Sequence, residues 1–131
     1  MKELTRAEEQ FMQVLWELKS ASIKDIVAYL HEPRPKYTTV STIIRILEKK
    51  EFVGHTAKGR NFIYHPLVDK KQYARFLMRN LLSKYFQNSI RQMVYFLSHE
   101  KNLTSSELEE IRNLIDVEIR RKDEPGQDMI K

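Results

Sequence analysis

The sequence of 131 residues contains no cysteine, only three glycines and four prolines, and no long hydrophobic run. Without cysteine, the chain has neither disulfides nor thiolate metal sites. The shortage of glycine and proline favours a mostly helical chain with few tight turns. Apolar residues nowhere extend for the ~20 positions that a membrane helix needs, and none follow the charged first residues as they would in a signal peptide. We therefore expect a soluble, cytoplasmic protein without membrane insertion.

The sequence also lacks catalytic and metal-binding motifs. Its four histidines lie in unrelated segments, and it has no phosphate-binding glycine loop and no nucleophile turn. The adjacent acids Glu8 and Glu9, like Glu109 and Glu110, are predicted to be surface charge on helices. We therefore predict no catalytic residues, no metal site, no cofactor and no enzymatic activity.

Positive charge is concentrated in one region of the chain. The formal net charge is +5 and the pI is about 9.4. Residues 31–65 contain seven Lys and Arg against three Asp and Glu, which is an excess of four positive charges. Such a concentration suits an anionic partner, and double-stranded DNA is the partner that we expect.

Hydrophobic spacing predicts three helices in the first half of the chain. A capping box at Thr5 starts the first helix, a second start signal lies at Ser22, and the third helix covers residues 36–50. Aromatic and β-branched residues at 52–58 and 61–65 then predict two strands joined by a tight turn. Three helices followed by a hairpin is the order of a winged helix-turn-helix domain.

The helix at 36–50 is the main functional candidate. At 100° per residue its apolar residues, among them Val40, Ile44 and Leu47, fall on one side, and hydroxyls and cations gather on the other. Short hydroxyls beside cations suit a helix that lies against phosphates and base edges. The predicted base-reading residues are Thr38, Thr39, Ser41, Thr42 and Arg45. The predicted phosphate contacts are Lys36, Tyr37, Lys49 and Lys50, with Lys58 and Arg60 in the hairpin.

The second half of the chain predicts three more helices, which start near Asp69, near Asn88 and at one of Thr104, Ser105 and Ser106. Each is apolar on one face, and together they are too short to enclose a convincing core. Pairing of two copies would bury these faces; the alternative is that the helices pack back onto the first domain. The predicted domains are a winged helix at 1–67, a helical dimerisation domain at 68–122 and an unstructured tail at 123–131. The predicted dimerisation residues are Tyr73, Phe76, Leu77, Leu81, Phe96, Leu108, Ile111, Leu114 and Ile115.

Several motifs, in the same order, resemble the penicillinase-repressor family (BlaI/MecI type). The matching segments are Leu4–Glu8, Val14–Trp16, Tyr37–Thr42, Leu47–Lys50 with Phe52-Val53, Tyr64–Val68 and Leu108–Leu114. The resemblance implies a homodimeric transcriptional repressor that binds an inverted-repeat operator. By the same resemblance Thr39 and Thr42 match the threonines of the recognition helix, Lys49 and Lys50 match its basic end, and residues 58–60 match the wing.

The chain departs from that family at four points. Ile46 stands where the family usually has arginine, with Arg45 one residue earlier, and Glu51 stands where it usually has glycine. Some members are inactivated by a membrane-bound sensor protease that cuts an Asn-Phe bond in the dimerisation domain, but the matching stretch at 94–97 has no asparagine. The copper-responsive branch uses cysteines that this chain lacks.

The leading hypothesis is therefore a dimeric, sequence-specific DNA-binding repressor. The alternative is a winged-helix protein-interaction module without specific DNA binding, since a fold does not fix a function. The polar face between residues 38 and 49 discriminates between them, because an interaction module more often exposes apolar anchors there.

Overall fold

The computed structural model describes residues 1–124, and this part of the chain contains six helices and one antiparallel hairpin. The elements are α1 Arg6–Leu18, α2 Ile23–Tyr29, α3 Tyr37–Lys49, β1 Val53–Lys58, β2 Asn61–Pro66, α4 Lys70–Tyr85, α5 Ile90–Ser98 and α6 Ser105–Asp123. The predicted fold class, a winged helix followed by three helices, is confirmed. Of the predicted tail, residues 125–131 lie outside the described residues. No helix within residues 1–124 has the length and apolar character needed to cross a membrane.

Side-chain caps define where most helices begin. Thr5, Ser22 and Thr104 each form a complete capping box with the acid three residues later. Asp69 and Gln72 exchange the same pair of bonds, both at 2.8 Å, in front of α4. Each pair satisfies two backbone amides that the first turn would otherwise leave unpaired. The predicted starts at Thr5, Ser22 and Asp69 are confirmed, and of the three candidates for the last helix the cap is Thr104.

The end of α3 is a Schellman turn that leads directly into the hairpin. The amide of Glu51 donates to the carbonyl of Glu48, and the amide of Phe52 donates to that of Leu47, each at 2.9 Å. Glu51 has φ +66°, a left-handed conformation that glycine adopts at less cost. The buried Phe52 ring follows immediately, so the turn fixes where the hairpin starts relative to α3.

The backbone contacts divide the chain into two compact units, Met1–Asn80 and a second that starts at Leu81. One hydrophobic core occupies the first unit, with fully buried side chains from α1, α2, α3 and the start of β1. An isolated bridge between Ala21 and Tyr64, with bonds of 2.8 and 2.9 Å, ties the segment before α2 to β2. The helices and the hairpin of this unit therefore form one packed body.

The first turns of α4 belong to this core. Tyr73 is 3% exposed, its hydroxyl accepts a 2.8 Å hydrogen bond from the amide of Leu4, and its ring packs beside Trp16 and Phe52. Phe76 and Leu77 pack against the same core. The first unit therefore extends past the predicted domain end at residue 67. Of the predicted dimerisation residues, Tyr73 is therefore buried within one chain, and Phe76 and Leu77 are partly covered by the same core.

Trp16 also connects α1 to the segment before α4. Its indole Nε1 donates a 2.8 Å hydrogen bond to the carbonyl of Val68, 52 positions along the chain. A half-buried tryptophan satisfies its polar edge in this way while the ring packs. The bond fixes the segment between the hairpin and α4.

The prediction that Glu8 is a surface charge is wrong. Its side chain is buried, and both carboxylate oxygens accept hydrogen bonds from Lys50 Nζ, at 2.8 and 2.9 Å. Burial by itself raises the pKa of Glu8, but the bonds from Lys50 and the Thr5 amide outweigh it and hold the pKa below its usual value. The pair connects α1 to the end of α3.

The lowered pKa predicts an acid-dependent loss of stability. Glu8 binds its proton more weakly in the folded chain than in the unfolded chain. Its contribution to the free energy of unfolding is therefore complete above its unfolded pKa of about 4.3, and it is lost as the pH falls through the lower pKa of the folded chain. In urea titrations between pH 7 and pH 3, the Glu8→Gln variant should lose less stability on acidification than the native chain. Glu9→Gln is the matched control; identical pH dependence in both variants would contradict the prediction.

Candidate nucleic-acid interface

Helix α3 divides into a buried and an exposed side, as its spacing predicts. Val40, Ile44 and Leu47 are fully buried, and Ile43 packs against the same core. The opposite side is in solvent. Its exposed residues are Thr38, Thr39, Thr42, Arg45, Ile46 and Lys49. Burial of one side by α1 and α2 fixes the rotation of α3 and determines which side chains an approaching molecule meets.

The exposed hydroxyls are not equivalent. Thr42 Oγ1 donates a 2.9 Å hydrogen bond to the carbonyl of Thr38, one turn earlier. Its proton is therefore engaged, and toward solvent Thr42 presents an acceptor and a methyl group. Ser41 is half-buried and faces the hairpin, where it lines a cleft. The predicted base-reading residues thus lie on two neighbouring stripes of α3.

The hairpin places two cations at its tip. Lys58 pairs with Asn61 as the last rung of the ladder, and Gly59 and Arg60 form a two-residue turn. Gly59 has φ +62°, which a tight hairpin turn requires and glycine supplies at little cost. Lys58 and Arg60 are both exposed. The turn therefore presents its charges to solvent, as the sequence predicts for a wing.

A cleft of about 630 Å³ lies between α3 and the hairpin, with the first residues of α2 also lining it. Three cations from three different elements converge on it: Lys24 from α2, Arg45 from α3 and Arg60 from the hairpin turn. Tyr37, 57% exposed, stands at the start of α3 on the same cleft. Converging cations of this kind attract a polyanion and fix its position.

A hydrogen bond between Glu48 and His55 links α3 to β1 inside this cleft. The Nδ1 atom of His55 lies 2.5 Å from a Glu48 carboxylate oxygen, and its ring packs on Phe62 at a centroid distance of 4.6 Å. Glu48 is the only acid of α3, a helix that the structure describes in full. Because His55 engages its carboxylate, the negative charge that faces an incoming phosphate is partly offset.

Tyr64 stands at the base of the cleft and remains neutral at physiological pH. Burial raises the pKa of its hydroxyl, the Glu48 carboxylate raises it further, and the guanidinium of Arg45 opposes the rise. Arg45 lines the cleft and is also exposed on α3.

The structure adds Lys24 to the cations near α3 and pairs Lys50 with Glu8. Lys24 lies in the first turn of α2 and lines the same cleft as Arg45, a proximity that the sequence does not indicate. Lys50, predicted as a phosphate contact, is held by the buried Glu8 and is not available as a free cation. The remaining predicted phosphate contacts, Lys36, Tyr37, Lys49, Lys58 and Arg60, are exposed.

Within residues 1–124, no metal site competes with this surface for a functional role. No group of three or more His, Cys, Asp or Glu side chains in that range is placed to hold a metal ion. Every buried side-chain nitrogen and oxygen of the same residues has a hydrogen-bond partner. The cationic face of α3 and the cleft beside it are the candidate site because cations from three elements converge there.

The remaining predicted dimerisation residues lie in the second unit. Within α5 and α6, whose residues are all described, none is buried. Leu81, Phe96, Ile111, Leu114 and Ile115 are exposed, and Leu108 is half-buried. Phe86 and Phe96 make an edge contact at 5.6 Å. A single copy of this unit thus leaves most of its apolar surface in water.

Comparison with known proteins identifies the family. The model of the penicillinase repressor family matches residues 4–117. The methicillin resistance regulatory protein MecI of Staphylococcus aureus strain Mu50 is 28% identical over 116 residues, which are 86% of this chain and 93% of MecI. The penicillinase repressor of Bacillus licheniformis is 25% identical over 125 residues, 93% of this chain and 96% of that protein.

Solved structures similar to this chain cover its first half. The DNA-binding domain of the repressor BlaI, determined in solution, is 28% identical with a TM-score of 0.48 and covers 56% of this chain and 94% of its own. The CopR repressor is 33% identical with a TM-score of 0.44, covering 52% of this chain and all of its own.

A winged helix with a cationic exposed face is typical of DNA-binding regulators, and relatives of this chain are named as repressors. Because the family model matches most of its length, the chain belongs to the penicillinase repressor family, whose members are DNA-binding transcriptional repressors.

Proposed function

We propose that this repressor binds an inverted-repeat operator as a homodimer, with α3 of each copy in the major groove of one half-site. The observation that carries the proposal is the joined cationic surface of α3 and the hairpin, whose three converging cations border an exposed row of hydroxyls. A helix of this width fits the major groove, and the hairpin tip then rests on the adjacent backbone.

Each side chain has a role that follows from its place on this surface. Thr38, Thr39, Thr42 and Arg45 approach base edges, and Ser41 joins them from the cleft side. The phosphate contacts are Lys36, Tyr37, Lys49, Lys58 and Arg60, with Lys24 added by the fold. Phosphate contacts set position and affinity, whereas contacts with base edges set sequence preference.

The second unit supports the homodimer. Its helices α5 and α6 are apolar on one side yet bury no residue within one chain, and exposed apolar surface on this scale marks an interaction site. A second copy presents the same faces, and two-fold pairing places two copies of α3 on an inverted repeat. Inactivation by a sensor protease is not part of the proposal, since the matching stretch at 94–97 lacks the Asn-Phe bond.

Gel-shift titration with the DNA upstream of its own gene tests the function. We expect a shift that saturates, competes poorly with random DNA and weakens steeply as salt rises. Footprinting should then show two half-sites about one helical turn apart, or a multiple of it. A complete absence of shift, or a shift that salt does not change, would favour a protein-interaction module instead.

Lys58→Ala should weaken binding to all DNA sequences. Removing this cation from each copy lowers the slope of log affinity against log salt by about 0.9 for each phosphate that is no longer neutralised. Slopes measured between 50 and 200 mM salt, roughly the range in which phosphate neutralisation dominates, decide the matter. Lys101→Ala, which removes the same charge from the turn between α5 and α6, is the control. An unchanged slope in Lys58→Ala would exclude the hairpin tip from the interface.

A further inference from the structure

Ile46 is an apolar side chain at the border of the polar face of α3, three residues after the partly buried Ile43. It is 40% exposed, although isoleucine is among the residues most often fully buried. Its neighbours on the helix surface are Thr42 one turn before it and Lys49 three residues after it. Thr39 continues the same stripe, so positions 39, 42, 46 and 49 form one row along α3.

The packing of the chain covers only part of this side chain. Val40, Ile44 and Leu47 fill the core side of α3 and are fully buried, whereas Ile46 lies at the edge of that side and is 40% exposed. A β-branched residue also gives α3 no advantage in helix propensity over the straight-chain residues usual on exposed faces. The exposed part of the side chain can therefore contact a molecule that approaches the polar face.

The chemistry of the major groove offers one group that suits such a side chain. Guanine, adenine and cytosine present hydrogen-bond donors and acceptors there, whereas thymine adds a 5-methyl group. Isoleucine has no polar atom, so against the other bases it would displace water from groups that it cannot satisfy. The favourable contact with the thymine methyl and the unfavourable contacts with the other bases both favour thymine at this position.

We propose that Ile46 is a specificity-determining residue that contacts the 5-methyl group of one thymine in each operator half-site. The inference rests on the proposed function and deepens it, because it names one base that the recognition helix reads. Thr42 fits beside it, since its engaged hydroxyl proton leaves a methyl and an acceptor on the same row. Arg45 lies on the other side of that row, toward the cleft.

Thymine-to-deoxyuridine scanning tests this contact, because the exchange removes the methyl and leaves the hydrogen-bonding edge intact. The duplex is first selected from a randomised pool with the full-length protein, and each thymine is then exchanged singly. In each half-site we expect one sensitive thymine. A duplex with a single exchange at that position should bind the native protein about fourfold more weakly, the factor expected for one buried CH₂-sized group. Both exchanges together should cost about 16-fold if the half-sites act independently.

The variants Ile46→Ala and Ile46→Val make the scan specific to this side chain. Ile46→Ala should bind the deoxyuridine and thymine duplexes equally at the sensitive position, while Ile46→Val should retain part of the difference. A flat scan with the native protein, or a sensitive position that persists in Ile46→Ala, would overturn the inference and leave the repressor function intact. If the pool yields no selected duplex at all, the proposed function and the inference both fall.

Discussion

Replacing Leu114 by aspartate is expected to convert the protein into monomers and to weaken operator binding roughly 100-fold or more. Leu114 is 67% exposed on α6 in one chain, so the charge has little to disrupt within that chain. In a dimer the same position would bury an unpaired carboxylate, which is costly. Light scattering measures the oligomeric state, and gel shift measures the affinity.

Asn113→Asp is the matched control for this experiment. It introduces the same charge one residue earlier on the same helix, at a position that is exposed and already polar. We expect it to remain dimeric with affinity close to that of the native chain. A native protein that is monomeric at micromolar concentration, or a Leu114→Asp variant that remains dimeric, would refute the interface on α6.

Arg45→Ala is expected to cost about 1–3 kcal/mol on the operator, because the variant cannot form a bidentate pair of hydrogen bonds with guanine. On random DNA the loss of affinity should be smaller, since only one positive charge disappears. Affinities for both kinds of DNA at one salt concentration give the two losses. The exposure of Arg45 on α3, beside the cleft that it shares with Arg60, is the basis for this expectation.

Two further variants separate base reading from charge. Arg45→Lys keeps the charge but loses the planar fork, so it should resemble Arg45→Ala on the operator and the native chain on random DNA. Arg75→Ala removes a cation from α4 and should leave the preference for the operator unchanged. Equal losses on operator and random DNA for Arg45→Ala would make Arg45 a phosphate contact only.

The elements of this fold could be predicted because their signals are local. Thr5, Ser22 and Thr104 each lie three residues before the acid that completes the cap, and the spacing of Val40, Ile44 and Leu47 identifies the buried side of α3. Such patterns depend on the helical repeat alone. The same locality explains why the hairpin, with its glycine turn, could be placed to within a residue.

The contacts that could not be predicted join distant parts of the chain. Glu8 and Lys50 are 42 positions apart, and an acid in the first turn of a helix reads as solvated charge unless its partner is known. Tyr73 continues the periodic pattern of the apolar residues that follow it on α4. Such a pattern identifies the apolar side of a helix but not which other element packs against it. Lys24 reaches the cleft only because α2 packs beside α3.

The bond between the Leu4 amide and the Tyr73 hydroxyl also bears on synthesis, since it spans 69 positions of the chain. During translation, at roughly 5–20 residues per second, the first helices emerge well before the tyrosine that completes their core. The contacts of Tyr73 with the winged-helix unit can form only when the start of α4 has left the ribosome. At that point much of α5 and α6 is still inside the ribosome, so each new chain can form its DNA-reading surface before the helices proposed to pair it are exposed.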